Sequence, residues 1–539
     1  MFFGYIARKM HFLYRHKGFQ QENSHKAVEA NDVPNAPLSK KLQENLDSLK
    51  ASLGDGDDVK VHPFRVGQGN GLPGVLIFID GLVDGATLTN AILRPLQNMR
   101  AEDEYPSSNT RLMEVLVQEV LCAGDVKHAQ SLPELTSGCL SGDTVLFMDG
   151  CASGLVISTK GWEKRGVSEP QTETVVRGPR EGFTENLRTN TSLIRRKIRN
   201  GRLRVEQMTV GRKTQTGVCL MYLDGVANPD VVERVKYRIG KLDVESILET
   251  SYIEEYIEDA PFSPFATIGY SEKPDVVAAK LLEGRVAILV DGTPFALTAP
   301  MLFVESFQTA EDYYARPLYA SLIRAMRFFA YLLAVFAPAL YIALNTFHHE
   351  LIPTPLLFTI AKASEGTPFP VFLEALIMVF AFELLREAGV RLPRPVGQAI
   401  SIVGALIMGD AAVNAGIVGA PMVIVVASTA VAGFLVPTQN DSISILRVLM
   451  MIPATVIGFY GVGLGCLAML IHLATLESFG VPFFDSFGHA EDARDTLIRM
   501  PLWSVVKRPR QIACGDMKRG RYFIPPLRPH GTDEEGEEP

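Results

Sequence analysis

Asp410 is the only Asp, Glu, Lys or Arg between Pro395 and Asn440, and Asn414 follows it four residues later. On a helix those two positions share a face, so both polar groups can turn into one water-filled space or lock a helical hairpin by hydrogen bonding. A carboxylate left in lipid costs roughly 3 kcal/mol or more, so Asp410 is expected to face protein or water. Glu374 and Glu383 interrupt an earlier apolar stretch. They lie about 2.5 helical turns apart, so they do not share a face. These four residues are the candidate pore-lining or membrane-buried polar groups. Pro453, in the last apolar run, removes a backbone donor and is the candidate gating kink. Gly458, Gly461, Gly463 and Gly465 follow it and allow close helix approach.

Elsewhere the chemistry is thin. Four apolar phrases end in Asp-Gly, at Asp80, Asp149, Asp224 and Asp291, where turns and strand ends favour the pair for backbone reasons. The glycine-rich Gly67–Gly74 precedes its strand and contains Pro73, whereas a dinucleotide loop follows a strand and opens a helix. There is no Walker lysine motif, no GxSxG elbow, no HExxH and no metal-spaced His/Cys cluster. His348-His349 reads as an interface feature. No catalytic residue, cofactor or metal is expected, and the chain is not expected to be an enzyme. Arg195, Arg196, Lys197 and Arg199 form a basic cluster that can bind anions or lipid headgroups, present a solvated face, or pair with acids of a neighbouring subdomain.

The elements that position these groups fall into two halves. Up to about residue 320 charges are dense, whereas Phe328 to His349 and Val448 to Leu476 contain no Asp, Glu, Lys or Arg. A crossing helix needs about 20 mostly apolar residues. Candidate crossings are 328–347, 370–387, 395–413, 417–436 and 448–475, with Asn414-Ala-Gly416 folding the middle run into a hairpin. Leu351 to Ala361 is too short. Arg316, Arg324 and Arg327 before the first span, Arg386, Arg391 and Arg394 before the middle pair, and Arg494, Arg499, Lys507, Arg508 and Arg510 after the last place both ends in the cytoplasm. That requires an even number. Four crossings are expected, with 370–387 interfacial or broken.

The charged half repeats itself. Val75-Leu-Ile-Phe-Ile-Asp-Gly81 matches Cys219-Leu-Met-Tyr-Leu-Asp-Gly225, and the phrase 142–150 matches 284–292, at offsets of about 143 residues. Each is a short apolar run suited to a strand buried on both faces. Asp149-Gly150 is expected to close a type I′ hairpin, Arg111 to Leu121 and Pro229 to Leu248 to be helical, and Leu193 to Arg199 to form a basic helix. The expected organisation is a disordered tail 1–36, a first α/β subdomain 37–165, a connector 166–204, a second α/β subdomain 205–315, an all-α multi-span membrane domain 316–480 and a C-terminal tail 481–539 with an acidic, disordered end. The fold class is thus an α/β soluble region of two similar subdomains followed by a helical membrane domain.

Composition bounds the rest. The 539 residues carry 52 basic and 60 acidic side chains, a formal charge of −8, which argues against a dedicated nucleic-acid binder. Six scattered cysteines with no CxxC pair fit a reducing compartment and exclude a disulfide-stapled module. Residues 1–15 carry Arg8, Lys9 and Arg15 among apolar residues and do not read as a cleavable signal peptide.

The phrases Arg177–Glu185, Arg188–Arg196, Ser263-Pro-Phe265, Ala381–Gly389, Arg391–Pro393, Gly397–Ser401 and Asp410-Ala-Ala-Val-Asn414 occur in this order. Over residues 38–510 they resemble the A subunit of GerA-type spore germinant receptors. The resemblance implies a protein of the endospore inner membrane that works with a permease-like B subunit and a C-subunit lipoprotein. It also implies assembly into a ring, a pentamer, forming a nutrient-gated channel that releases monovalent cations. Stage V sporulation AF-type proteins share these phrases and amplify ion release. Asp410 departs from the resemblance, which leads to an uncharged polar residue such as Gln at that position. Arg177 and Arg188 join Arg195 and Arg196 as candidate assembly or connector residues. The alternative is a membrane-anchored scaffold or signalling subunit; a self-contained transporter ranks third, because the repeat lies outside the apolar half.

Overall fold

The computed structural model describes residues 37–54, 56–67, 71–99, 109–161, 170, 173, 175–391, 404, 407–484, 495–496, 498–505 and 507–518. The two tails expected to be disordered, 1–36 and the acidic end, lie outside the described residues, as do most of Arg391–Ser401 and the centre of the glycine-rich loop.

The continuous apolar phrases become central strands. The first sheet contains β1 (Val59–Arg65), β2 (Pro73–Ile79), β3 (Val126–Ala129), β4 (Thr144–Met148) and β5 (Gly154–Ile157), in spatial order β1-β2-β4-β5-β3. The second contains β6 (Leu203–Val210), β7 (Thr216–Leu223), β8 (Gly269–Ser271), β9 (Val286–Val290) and β10 (Ala296–Ala299), in the matching order β6-β7-β9-β10-β8. The repeated phrases are β2 and β4 in the first sheet and β7 and β9 in the second, and β2 lies beside β4 as β7 lies beside β9.

Two-sided burial explains why those phrases have no polar alternation. Val145 and Phe147 meet α1 (Leu42–Leu53) and α2 (Leu132–Leu140), while Leu146 and Met148 meet the helical segments 85–98 and 109–120. In the second unit Ala287 and Leu289 pack with α3 (Leu187–Lys197) and α6 (Pro274–Glu283). Ile288 and Val290 pack with α4 (Pro229–Gly240) and α5 (Thr250–Ile257). Every strand pairing between these elements is antiparallel, so the layers are α/β in content but not in the parallel, crossover sense.

The Asp-Gly pairs that end those four phrases are structural. All four glycines have positive φ, between 79° and 93°. Each aspartate has a local partner: Asp80 pairs with Arg188, Asp149 accepts from Leu42 N, Asp224 pairs with Arg204 and Asp291 accepts from Leu187 N. Two expectations change. The β4–β5 connection spans residues 149–153 rather than a two-residue type I′ turn. Helix α4 stops at Gly240, and residues 241–249 lead into the separate helix α5.

The helical half comprises α7 (Pro317–Thr346), α8 (Thr354–Ser364), α9 (Val371–Arg391), a helical segment 407–414, α10 (Ala420–Phe434), α11 (Asn440–Ile457) and α12 (Phe459–Thr475). The expected turn at Asn414-Ala-Gly416 is present: Gly416 has φ +65°, and Gly416 N donates to Val413 O. The run 448–475, expected to be one crossing, is instead a helical hairpin. Gly458 (φ +61°, ψ −136°) ends α11 and starts α12. A Cβ at Gly461 would strike Pro453 O and one at Gly465 would strike Met450, as two helices folded back on each other require. The helices of this half therefore number two over 448–475, where one crossing was expected.

Their ends alternate. Gly419 lies near Ser364 and Glu374, and Gly416 near Gly366, at the end away from the sheets. Ser442 Oγ donates to Pro264 O, Gln439 Nε2 to Ser306 Oγ, and His472 Nε2 meets Ser263 Oγ at the sheet end. The C-terminal segment is no loose tail as far as it is described. Phe479, Val481 and Ile512 enter the second unit's core, with Ala513 on its opposite face.

Candidate functional site

The connector helix is an interface between the two sheet units. Asn186 caps α3 by accepting from Thr189 N at 3.0 Å, so the helix begins before the expected Leu193 and includes Arg188. Arg195 is buried and forms a two-pronged pair with Asp58 at the start of β1 (2.7 and 2.9 Å), and also donates to Asn200 O. Arg188 pairs with Asp80 at the end of β2. Arg196 and Lys197 flank Glu181 at 3.6 and 3.3 Å. The anion or headgroup reading therefore fails for Arg195, whose charge is spent inside the fold, and the pairing alternative holds. Arg177 is exposed; its segment is pinned where Val176 N donates to Glu311 and Gly178 abuts the Tyr314 ring.

In the helical half the predicted polar residues separate into three environments. Glu374 is buried and accepts from Gly419 N at 3.1 Å, at the N-terminus of α10. A carboxylate there satisfies an orphan amide and the positive end of the helix dipole. Glu383 pairs with Arg386 one turn on (2.6 Å), accepts from Ser444 Oγ (3.0 Å) and faces Arg447 at 3.5 Å. Arg447, buried in α11, also donates to Ala334 O at 2.9 Å. Asp410 and Asn414, one turn apart on the segment 407–414, are both exposed on a single chain. The shared interior expected for them is not built within one copy. Pro453 lies inside a continuous α11, and the break falls later, at Gly458.

Sequence reasoning missed Arg447, which stands just outside the charge-free window that opens at Val448. It also missed a buried hub where the sheets meet α7. Asp312 accepts from Arg324 Nε (2.8 Å) and from Arg327 Nη1 (2.9 Å), and Arg324 Nη1 reaches Asp495 at 3.0 Å. Tyr313 OH donates to Asp495 at 3.0 Å. Arg324 and Arg327, which in the sequence read as topology signals, are both buried and paired. The signal available was their i, i+3 spacing on one face at the start of an oily helix, which calls for an acid opposite.

On α5, burial and the neighbouring Glu258 and Glu249 carboxylates push the Glu254 carboxyl up to about 7. Burial, with the negative charges of Asp441 and Glu254, raises the Tyr270 phenol.

The outer surface of the helices is apolar. Leu318, Leu322, Met326 and Phe329 on α7, Ile445, Leu449 and Ile452 on α11, and Leu464, Leu467 and Leu470 on α12 are exposed large hydrophobic side chains. Pro317–Thr346 and Pro437–Ile457 are long and apolar enough to cross a membrane, with mean hydropathies of 1.9 and 1.3. Ala420–Phe434 and Phe459–Thr475 are shorter apolar helices. Among the described residues no group of three or more His, Cys, Asp or Glu is placed to hold a metal ion.

The model of the Bacillus/Clostridium GerA spore germination protein family matches residues 47–511. The chain is similar to spore germination protein KA of Bacillus subtilis (strain 168), with 45% identity over 89% of this chain and 88% of that one. It is also similar to the uncharacterized membrane protein YfkQ of the same organism, at 42% identity over 91% of this chain and 95% of that one. The crystal structure of the N-terminal domain of the A subunit of the Bacillus megaterium spore germinant receptor GerK3 is 36% identical, covering 50% of this chain and 98% of that one, with a TM-score of 0.40.

Proposed function

Because this chain belongs to the GerA family of spore germination proteins, we propose that it is the A subunit of a nutrient-responsive germinant receptor that assembles into a ring and conducts monovalent cations. The ring is pentameric in this reading, lies in the spore inner membrane, and works with a permease-like B subunit and a lipoprotein C subunit. In this reading an even number of the helices crosses, with the sheets and the C-terminal segment together on the cytoplasmic side.

One observation carries the reading. Asp410 and Asn414 lie exposed on a bundle whose other exposed side chains are largely apolar. Lipid is a costly neighbour for that carboxylate, at roughly 3 kcal/mol or more. A second copy, or water enclosed by several copies, covers the pair without that cost. Glu374 and Glu383 need no such cover, since each is satisfied within its own chain.

The test is conductance and assembly of the full chain with its partner subunits in planar bilayers. A ring-sized complex passing cations, with flux altered severalfold in Asp410→Asn, supports the reading. A strictly monomeric, non-conducting chain in that setting overturns it. Assembly with flux unchanged by Asp410→Ala and Asn414→Ala moves the assignment to a membrane-anchored scaffold. The stage V sporulation AF-type accessory role is separated by partner dependence: an accessory channel conducts without the B subunit.

A further inference from the structure

A cavity of about 520 Å³ opens at the meeting point of the second sheet unit, the segment entering α7, the helical half and the C-terminal segment. Asp275 and Lys280 of α6 line it, with Glu305 of the 3-10 turn Phe303–Phe307, Tyr313 and Tyr314 of the short helix Glu311–Tyr314, and Thr438 just before α11. Ile268, Val276, Ala279, Met301 and Leu502 supply an apolar wall.

The polar groups on that wall are unequally satisfied. Its bases are committed. Arg508 donates to the carbonyls of Leu282, Asp516 and Lys518. Arg285 lies between Glu283 and Glu305, and Lys280 sits 3.4 Å from Glu305 and 3.1 Å from Thr298 Oγ1. Acceptor capacity is left over. Asp275, whose side chain is 10% exposed, takes the Tyr314 hydroxyl on Oδ2 at 2.5 Å, and its Oδ1 has no hydrogen-bond partner. Glu305, 7% exposed, uses Oε1 for Leu302 N and Arg285, and its Oε2, which accepts no hydrogen bond, is ion-paired with Lys280, so the spare acceptor is Asp275 Oδ1. Glu173, held by the Ser271 hydroxyl at 2.6 Å, adds a further carboxyl to the lining. Arg285 Nε is a donor without a partner, but that guanidinium's charge is already balanced by two carboxylates. The buried Lys273 ammonium, 3.7 Å from Asp275 Oδ2 and without a hydrogen-bond partner, balances part of that carboxylate's charge from outside the lining and leaves Oδ1 open.

A buried acceptor without a donor is costly, and a charged donor is the partner that relieves it most. We propose that this cavity binds a small molecule carrying a primary ammonium on a short apolar body, the ammonium donating to Asp275 Oδ1 and the body lying against Ile268, Val276 and Met301. The tyrosines complete a wall suited to a cation beside an apolar chain. The occupant bridges the sheet unit, the segment that becomes α7 and the turn that becomes α11, so its binding is felt at the base of two bundle helices. The site stands on its own geometry and does not require the channel reading.

The experiment uses the full chain in phosphatidylcholine nanodiscs and ligand-observed saturation-transfer NMR, with empty nanodiscs subtracted. The probes are n-butylammonium, n-butanol and butyrate. Saturable transfer to n-butylammonium is expected, weaker by about tenfold in affinity in Asp275→Asn, which keeps an acceptor for Tyr314. Ala279→Leu, which fills the cavity with apolar volume, is expected to abolish it with the melting temperature retained. Equal binding of n-butanol, stronger binding of butyrate, no saturable transfer, or binding unmoved by Ala279→Leu each overturns the proposal. Conductance plays no part in this readout, so a failure here leaves the receptor assignment where it stands.

Discussion

Arg195 and Asp58 illustrate what a buried pair does between two sheet units. Both are almost wholly inside, and the geometry is two-pronged. Removing one partner strands the other charge, a loss of about 3–5 kcal/mol, whereas an apolar pair of similar volume is close to neutral. Arg195→Ala is therefore expected to lower urea stability by that amount, and the double change Arg195→Met with Asp58→Leu to recover most of it. A loss shared equally by the single and double variants sinks the account. Glu254 makes a prediction of opposite character. Its carboxyl titrates at about 7 in the fold against its ordinary 4.5, so between those values the folded chain holds a proton that the unfolded chain has released. Its contribution is full below pH 4.5 and is lost as pH rises through 7, because stability falls with pH wherever the unfolded state binds fewer protons. Glu254→Gln is expected to match the parent near pH 5 and to melt higher near pH 8. A gap that is constant across that range refutes the assignment.

Among the elements, the hairpin of α11 and α12 turns on one residue. Gly458 combines φ +61° with ψ −136°, and a Cβ there would come within 2.7 Å of His348 Cε1. Gly458→Ala incurs both the left-handed strain and that clash, about 1–3 kcal/mol together. The expected result is a lower melting temperature for the full chain in micelles and faster proteolysis near residue 458, with Gly463→Ala, which meets nothing within 4 Å, as the silent control. Equal behaviour of the two variants removes Gly458 as the pivot. The strands were legible because β4 and β9 must be apolar on both faces, which writes an unbroken run into the sequence. The pivot was not, because a glycine needed for positive φ and one needed for close packing look the same in a string that also holds Gly461, Gly463 and Gly465. The basic cluster on α3 was legible as a cluster, but its partner Asp58 lies too far along the chain for spacing to reveal.

For the whole molecule, an apolar last third and a duplicated first half could be read from charge and pattern alone. The way they are joined could not. Arginines near a span report membrane orientation on average, yet Arg324 and Arg327 are turned inward onto Asp312, and Arg324 also onto Asp495 from the far end of the chain. The sheets, the first bundle helix and the C-terminal segment thus meet at one hub, where Asp312 pairs with both guanidiniums and Asp495 with one of them. If this hub couples the halves, Asp312→Ala leaves Arg327 without its carboxylate and Arg324 with Asp495 alone, and costs about 3–5 kcal/mol. Hydrogen exchange on the full chain in nanodiscs should then show residues 308–316 and 495–505 losing protection before either sheet does. The companion variant Asp312→Leu, Arg324→Met, Arg327→Met separates coupling from stability. Apolar packing restores the melting temperature, while the carbonyls of Phe307 and Thr496, which the arginines hold now, lose their donors. Coupling through charge predicts that the C-terminal segment still exchanges fast in the triple variant. Full restoration of its protection shows instead that packing alone joins the halves, and unchanged exchange in Asp312→Ala shows that the hub joins nothing.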